Sequence, residues 1–578
     1  VHSLEGRGRG VKRPPAGRLV ALLGAMVLAL VGVTTRLVSL QVGDHRALAA
    51  QGLRQRVHPT DLPAERGAIV DRTGVPLAIT LEARDIYADP RYVSDPIAEA
   101  EKIARILDLR PRDVERRLRT PDATFVYLGR QVDVKVAHRL EALGLPGIGF
   151  LEVPKRYYPA GALAPQVLGF VGVDATGLAG LEYEYEDILA GTPGTRTVEL
   201  DGDGLPIASG MEILEPAIAG RTLVTTLDRE VQYLAQEALR RAVKDNHAKG
   251  GTIVVMDART GDISAMASYP WFDPNDFEGA NRDAIRNRAV TDMFEPGSVN
   301  KVVTAAAALE TGAVGVREVF QVPWWMRVGG YTVNDSHQHA VQPMTLADIV
   351  AHSSNIGSAM VAERVGSAQL ASVLARFGYG NPTGVGFPGE AGGVVPELLN
   401  WTDITRATVA YGQGISMTPL QMAAVYATVA NGGMWVQPRL VHGTSEPDGR
   451  LDEAPRADSH RVLSEGTARM LTRMLASVVE TGTGGGAQIP GYQVAGKTGT
   501  ARKLVDGRYV RRYMASFVGF LPASDPRVVI VVSIDEPRTV YGGVAAAPVF
   551  SEIARHVIQR LAIPAAPPVH LPPFASDL

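Results

Sequence analysis

Glu295-Pro296-Gly297-Ser298-Val299-Asn300-Lys301 decides how this chain is read. The Pro-Gly pair interrupts what precedes it, and a helix beginning at Ser298 puts a lysine three residues beyond a serine. At that spacing both side chains share one helix face, about one turn apart. A serine hydroxyl is a poor nucleophile until a neighbour takes its proton, and a lysine whose charge is disfavoured by burial or by a second cation can do so. The helix N-terminus adds a positive dipole where an oxyanion would form. Taken alone the pattern is weak, because a Ser and a Lys three apart on a helix usually signify nothing. Only nine of the 58 basic residues are lysines, however, and Lys301 alone among them has a serine three positions before it. Cysteine is absent, which excludes disulfides, thiolate zinc sites, iron–sulfur clusters and a thiol nucleophile. Covalent catalysis is left to Ser, Thr, Lys or a carboxylate.

Two more polar stretches follow. Ser353-Ser354-Asn355 lies in the run His352 to Gly357 after a helical stretch; as a tripeptide it carries almost no information. Gly496-Lys497-Thr498-Gly499-Thr500 says more. A strand bearing Lys and Thr with Gly between them offers a cation and hydroxyls to a carboxylate, and the Gly lets a substrate backbone approach the strand edge. The competing reading is a phosphate loop, but the glycine spacing of a P-loop is missing.

Around these motifs the chain divides. Leu19 to Thr35 contains no charge and, at ~1.5 Å per residue, spans roughly 25 Å, with Arg18 and Arg36 placed to snorkel at its ends. Arg7, Arg9, Lys12, Arg13 and Arg18 precede it, against Arg36, Arg46 and Arg54 after it, so the positive-inside rule places the N-terminus in the cytoplasm. A cleaved signal peptide is the rival, with Ala47-Leu48-Ala49 as its cleavage pattern, lying too far beyond the apolar run. The reading is a cytoplasmic tail over 1–18, an anchor over 19–40, a mixed α+β region over 45–215, a second domain over 220–562, and a disordered Pro-rich tail over 563–578. In the first region Glu65 to Gly74 reads as a short strand and turn, and Ala98 to Leu109 and Val132 to Leu143 as amphipathic helices. In the second, Thr225 to Asp228 caps a helix running to about Lys244, Gly251 to Tyr269 makes two strands, helices run from Ser298 through residue 430, and Tyr513 to Leu521 and Val528 to Asp535 are late strands. Helices between early and late strands predict a sheet assembled from both ends of the domain. With 46% apolar and 21% charged residues and a net charge of −3, the bulk reads as soluble, and scattered positive charge makes nucleic acid no partner.

Ser298-x-x-Lys301, Ser353-x-Asn355 and Lys497-Thr498-Gly499, in that order, are similar to the signature of the serine penicillin-recognising superfamily. The surroundings narrow it. Glu65 to Leu77, Tyr157-Tyr158-Pro159 with Gly169 to Gly172, Asn287 to Val290, Tyr411 to Gly414 with Thr418 to Gln421, and Tyr541-Gly542-Gly543 with Ala547 to Phe550 resemble class B penicillin-binding proteins. Within that class the chain looks most like the division-specific septal transpeptidase, the penicillin-binding protein 3 type, with the elongation-specific type as runner-up. The resemblance implies a transmembrane helix, an elongated α+β pedestal of dimerisation type carrying no chemistry, and a β-lactamase/penicillin-binding-type domain with an antiparallel sheet flanked by helices. It implies a D,D-transpeptidase at the bacterial inner membrane, its catalytic domain outside the cytoplasm, cross-linking stem peptides that end in D-Ala-D-Ala and acylated by β-lactams. By motif, Ser298 is the nucleophile, Lys301 its base, and Ser353 with Lys497 a proton relay to the departing D-alanine. Asn355 orients the substrate amide and Lys301; Thr498, Gly499 and Thr500 bind substrate, and the amides of Ser298 and Thr500 form an oxyanion hole. No cofactor is implied. The implied partners are a polytopic glycan polymerase and other division proteins.

A β-lactamase needs a base for deacylation, and Pro396-Glu397-Leu398-Leu399-Asn400 has proline where the glutamate of Glu-x-x-Leu-Asn belongs. A D,D-carboxypeptidase differs only in taking water as acceptor, and the large region ahead of the catalytic domain favours transpeptidation. A non-catalytic penicillin-binding sensor or scaffold is opposed by the intact Ser298, Lys301 and Lys497. His337, His339 and His352 form the one histidine grouping with metal-like spacing, read as loop residues without a metal. Asp201-Gly202-Asp203-Gly204 lacks the later glutamate of a calcium loop and reads as a turn.

Overall fold

The computed structural model describes residues 16–43, 57–199, 212–446 and 449–568. The proposed tail over 1–18, apart from its last residues, Ala47-Leu48-Ala49, Asp201 to Gly204 and the end of the Pro-rich tail lie outside them. Two compact units result, one formed by residues 1–64 with 192–218 and the other by 65–191 with 219–578.

In the first unit, helix Ala16–Val38 belongs to a run long and apolar enough to cross a membrane. Its two hydroxyls are satisfied within the helix: Thr34 Oγ1 donates to the Leu30 carbonyl at 2.8 Å and Thr35 Oγ1 to that of Val31 at 2.7 Å. This back-bonding lets threonine sit in an apolar helix without a solvent partner. The unit also holds an antiparallel sheet in which Gly194–Glu199 lies between Val57–Leu62 and Glu212–Glu215.

The second unit is α+β. Its catalytic sheet has the order Ile263–Tyr269, Gly250–Asp257, Val528–Asp535, Arg508–Leu521, Ala495–Val505, antiparallel throughout. Gly250–Asp257 and Val528–Asp535 are apolar runs because both faces are covered. Ile253, Val255, Ile530 and Val532 pack with helices Arg229–Asp245 and Ala547–Arg560. Val254, Met256, Val529 and Val531 pack with helices Lys301–Glu310, Pro419–Ala430 and Glu465–Glu480 on the other side. Asp228 caps Arg229–Asp245 by accepting from the amides of Glu230 and Val231. All of Pro419–Ala430 is buried, as expected for a helix apolar around its whole circumference, and a Thr418–Gln421 capping box opens it.

Between the serine helix and residue 346 the sequence reading expects only helix, whereas the chain makes four short strands: Val319–Val322 paired with Gln342–Thr345, and Trp325–Val328 with Tyr331–Asn334. The signal was present. Gly329 and Gly330 have φ of 54° and 87°, the double positive-φ turn that joins two strands tightly, and Val319–Val322 alternates exposed and buried residues. This excursion delivers Asp335 to the site described below.

A second, seven-stranded sheet contains Leu451–Glu453, Val441–Ser445, Thr222–Thr225, Ile69–Val70, Pro76–Ala88, Val126–Asp133 and Ile148–Tyr157. Beside it lies a buried ionic cluster. Glu182, with no exposed side-chain surface, pairs with Arg66 Nε at 2.7 Å and Arg156 Nε at 2.6 Å, and accepts from the Tyr158 hydroxyl at 3.3 Å. Burial pushes that hydroxyl well above the usual tyrosine range. Arg66, Tyr158 and Glu182 thus explain the Glu65–Gly74 and Tyr157–Pro159 motifs as structural. Because removing the anion takes the carboxylate from buried Arg156 and leaves Arg66 only its pair with Glu186 at 2.7 Å, Glu182→Ala is expected to cost about 3 kcal/mol, read as a lowered denaturation midpoint of the folded protein.

Candidate active site

Gly297–Asn300 forms a 3₁₀ turn that runs directly into helix Lys301–Glu310. Its position is set by buried side chains from elsewhere. Asn300 Nδ2 donates to the Val409 carbonyl at 2.7 Å and its Oδ1 accepts from the Tyr379 hydroxyl at 2.7 Å. The Gly297 amide donates to the Gly412 carbonyl at 2.9 Å, and the Tyr426 hydroxyl to that of Val299 at 2.9 Å. The Tyr411–Gly414 motif therefore positions the serine turn. Glu295, at its entrance, accepts from the Gly414 amide and from the Tyr509 hydroxyl, both at 2.8 Å, and burial raises its carboxyl above the ordinary range.

The three motifs converge. Lys301 Nζ lies 3.0 Å from Ser298 Oγ, 3.2 Å from Ser353 Oγ and 2.9 Å from Asn355 Oδ1, and it donates to the Ser353 carbonyl. Lys497 Nζ lies 3.0 Å from the same Ser353 Oγ and donates to the Thr498 carbonyl at 3.2 Å. Ser353 thus bridges two amines, its backbone held in the left-handed region at φ 62°. A non-glycine residue there costs roughly 1–3 kcal/mol, which the surrounding contacts must offset.

Both lysines are fully buried, Lys301 at 1% exposure and Lys497 at 0%. Burial drives Lys301 well below an ordinary lysine, the nearby Lys497 charge adds to that, and Asp335 opposes it. Burial brings Lys497 down to about 7. Of the four oxygens around Lys301 Nζ, the Ser353 carbonyl and Asn355 Oδ1 only accept, whereas the Ser298 and Ser353 hydroxyls can donate. A neutral amine fits this set: two N–H bonds serve the acceptors and the lone pair faces a hydroxyl.

On the strand, Thr498 Oγ1 lies 2.7 Å from Thr483 Oγ1, and Thr500 Oγ1 accepts from the Gly542 amide at 3.2 Å. A Cβ on Gly499 would fall 2.3 Å from Ser516 Oγ on the neighbouring strand and 3.0 Å from Val299 Cγ1 in the serine turn, so the close approach of strand and turn favours glycine. The serine, two lysines, Ser353, Asn355 and the Thr498-Gly499-Thr500 segment that the sequence singled out are all brought together.

Sequence reasoning missed Thr483 and Asp335. Asp335 Oδ2 accepts from the Ser354 hydroxyl at 2.7 Å; its Oδ1 accepts from the amides of Asn355 and of Ile356, the latter at 3.1 Å. These amides open helix Asn355–Val365, where a carboxylate is favoured. The only textual hint was Asp335 in a polar loop. His337, His339 and His352 do not meet: His339 contacts Asp335, His337 contacts Ser336, and His352 is exposed. Among the described residues no group of three or more His, Asp or Glu side chains is placed to hold a metal.

Residues 251–555 match the family model of the penicillin binding protein transpeptidase domain, and residues 61–225 that of the penicillin-binding protein dimerisation domain. The penicillin-binding protein PbpB of Mycolicibacterium smegmatis is 38% identical over 590 residues, covering 95% of this chain and 90% of that protein. The chain belongs to the class B penicillin-binding proteins, of the division-specific type. Peptidoglycan D,D-transpeptidase FtsI of Escherichia coli is 35% identical over 557 residues, covering 94% of this chain and 92% of that one. The structure of penicillin binding protein 3 from Mycobacterium tuberculosis, complexed with aztreonam, superposes with a TM-score of 0.70 at 35% identity, over 89% of this chain and 99% of that one. As a class B protein of this type, the transpeptidase joins its α+β catalytic unit to one apolar helix of membrane-spanning length.

Proposed function

We propose that this penicillin-binding protein cross-links peptidoglycan stem peptides during septal wall synthesis through an acyl-enzyme on Ser298. The observation that carries the assignment is Lys301 Nζ, 3.0 Å from Ser298 Oγ and buried so that the free amine is favoured. Lys301 takes the Ser298 proton as Oγ attacks the carbonyl between the terminal D-alanines. Ser353, between the two amines, passes a proton from Lys497 to the departing D-alanine. With its pKa near 7, Lys497 can both donate that proton and be recharged near neutrality. Asn355 orients the substrate amide. Thr498 and Thr500, flanking Gly499, bind the terminal carboxylate, and the amides of Ser298 and Thr500 hold the oxyanion, a role worth about 3–4 kcal/mol per donor in other enzymes. The amine of a neighbouring stem peptide then takes the acyl group. β-Lactams acylate the same serine.

Residues 45–215 serve as a pedestal without chemistry and 220–562 as the transpeptidase domain. The helix anchors the chain in the bacterial inner membrane with its N-terminus in the cytoplasm and its catalytic domain outside. A polytopic glycan polymerase and other division proteins are the partners this arrangement suits.

The test is product analysis with a stem-peptide donor and an amine acceptor. Cross-linked dimer is expected in excess of free hydrolysed donor; hydrolysis alone, with D-alanine released and no dimer, makes the protein a carboxypeptidase instead. Thr483 lies against Thr498 Oγ1 and should help fix that hydroxyl toward the carboxylate. Thr483→Val removes about 1 kcal/mol of hydrogen bonding, so β-lactam acylation should slow by about fivefold in its second-order rate constant.

A further inference from the structure

The histidine that contacts Asp335 is bonded in a way that neither neutral tautomer satisfies. His339 Nδ1 lies 2.6 Å from the Ala340 carbonyl oxygen and Nε2 lies 3.2 Å from Asp335 Oδ2. Neither oxygen can donate while Asp335 is ionised, so each neutral tautomer points a ring lone pair at an oxygen. The imidazolium donates to both. Asp335 in turn receives the Ser354 hydroxyl and the amides of Asn355 and Ile356, the residues that carry Ser353 and Asn355 to Lys301. Asn355 Nδ2 ties the same turn to the Asn334 carbonyl at 3.1 Å.

We propose that His339 is a positioning residue for the transpeptidase reaction, acting through Asp335: as an imidazolium against that carboxylate it offsets the negative charge that Lys301 meets there. The proposal rests on Lys301 as the general base. Asp335 is the charged group coupled to His339; it is also coupled to Lys301, from helix Lys301–Glu310, which in turn feels Lys497, from strand Ala495–Val505, and His337 shares the loop, its Nδ1 set against the Ser336 hydroxyl. Asp335 is the group that raises Lys301, and a cation on its outer side weakens that effect, which favours the free amine Ser298 needs. The Ala340 carbonyl and then Asp335 hold His339 above the ordinary histidine range, against its partial desolvation. The positive charge is therefore retained to higher pH than on a histidine free in solution.

The sign follows. With His339 charged, Lys301 loses its proton at lower pH and acylation reaches its plateau earlier; with a neutral residue at 339, Asp335 acts on Lys301 unopposed and the acid limb moves up. The experiment uses the full-length protein in detergent and a chromogenic cephalosporin, measuring the second-order acylation rate across pH. His339→Gln is expected to shift the acid limb upward by about half a pH unit, with the plateau rate largely retained. His339→Lys, which keeps a positive charge, should leave the limb near its wild-type place. In an Asp335→Asn background His339→Gln should shift it no further. A limb unmoved in His339→Gln, a uniform loss of rate at every pH, or an equal shift in the glutamine and lysine variants overturns the proposal. If Asp335→Asn does not fold, the glutamine and lysine pair decides alone, since His339 is near the surface with 16% of its side chain exposed. Failure of the underlying reading looks different: an acid limb missing from wild type, or persisting in Lys301→Met, removes Lys301 as base and both claims fall together.

Discussion

Ser298→Ala protein incubated with a β-lactam is expected to show no mass increase, where the wild type gains one drug mass per chain. The argument is local. Ser298 Oγ is the one hydroxyl at the head of the serine helix within reach of Lys301 Nζ, at 3.0 Å. Cysteine is absent, and Ser353, which also faces both lysines, is held on the turn between Ala351 and Asn355 with its oxygen committed between them. The serine turn itself is fixed by Asn300, Gly297 and Val299 through contacts that do not involve the Ser298 side chain. Deleting one oxygen should therefore leave the fold within about 0.5–1 kcal/mol of wild type by thermal denaturation. An adduct on Ser298→Ala protein would move the nucleophile elsewhere.

Lys301→Met should lower the acylation rate by about a thousandfold or more, within the range of lost general base catalysis plus disturbance of its hydrogen-bond partners. Methionine fills a similar space in a fully buried site, so packing is largely conserved, but the Ser353 carbonyl and Asn355 Oδ1 lose their donor. The pH dependence gives an independent check. Lys301 acts as the free amine, and burial and Lys497 hold its pKa well below the ordinary lysine value. Wild-type acylation should fall about tenfold per pH unit below that pKa and, separately, fall again on the alkaline side where Lys497 gives up the proton it donates, whereas the residual rate of Lys301→Met should lack the acid limb. Stopped-flow measurement of acyl-enzyme formation separates the two.

What the sequence disclosed and what it withheld divide along physical lines. Ser298 and Lys301 were legible because a helix converts a spacing of three residues into a contact, and Lys497-Thr498-Gly499 because a strand displays its residues along an edge. The late strands were legible too, since Val528–Asp535 is covered on both faces and its first five residues read as an apolar run. Asp335, His339 and Thr483 were not. Each acts through a partner far away in the chain or through a turn whose geometry no periodicity encodes. The short strands between residues 319 and 345 escaped for a related reason: with four residues each and one face in solvent, they offer less pattern than the helices around them, and only Gly329-Gly330 marks the reversal.

The order of strands in the catalytic sheet has a consequence for biogenesis. Val528–Asp535 lies between Gly250–Asp257 and Arg508–Leu521, so the edge bearing Lys497 is joined to the early hairpin only through the last strand to be made. A chain ending ahead of Val528 therefore lacks the strand through which the Lys497 edge meets the Gly250–Asp257 hairpin.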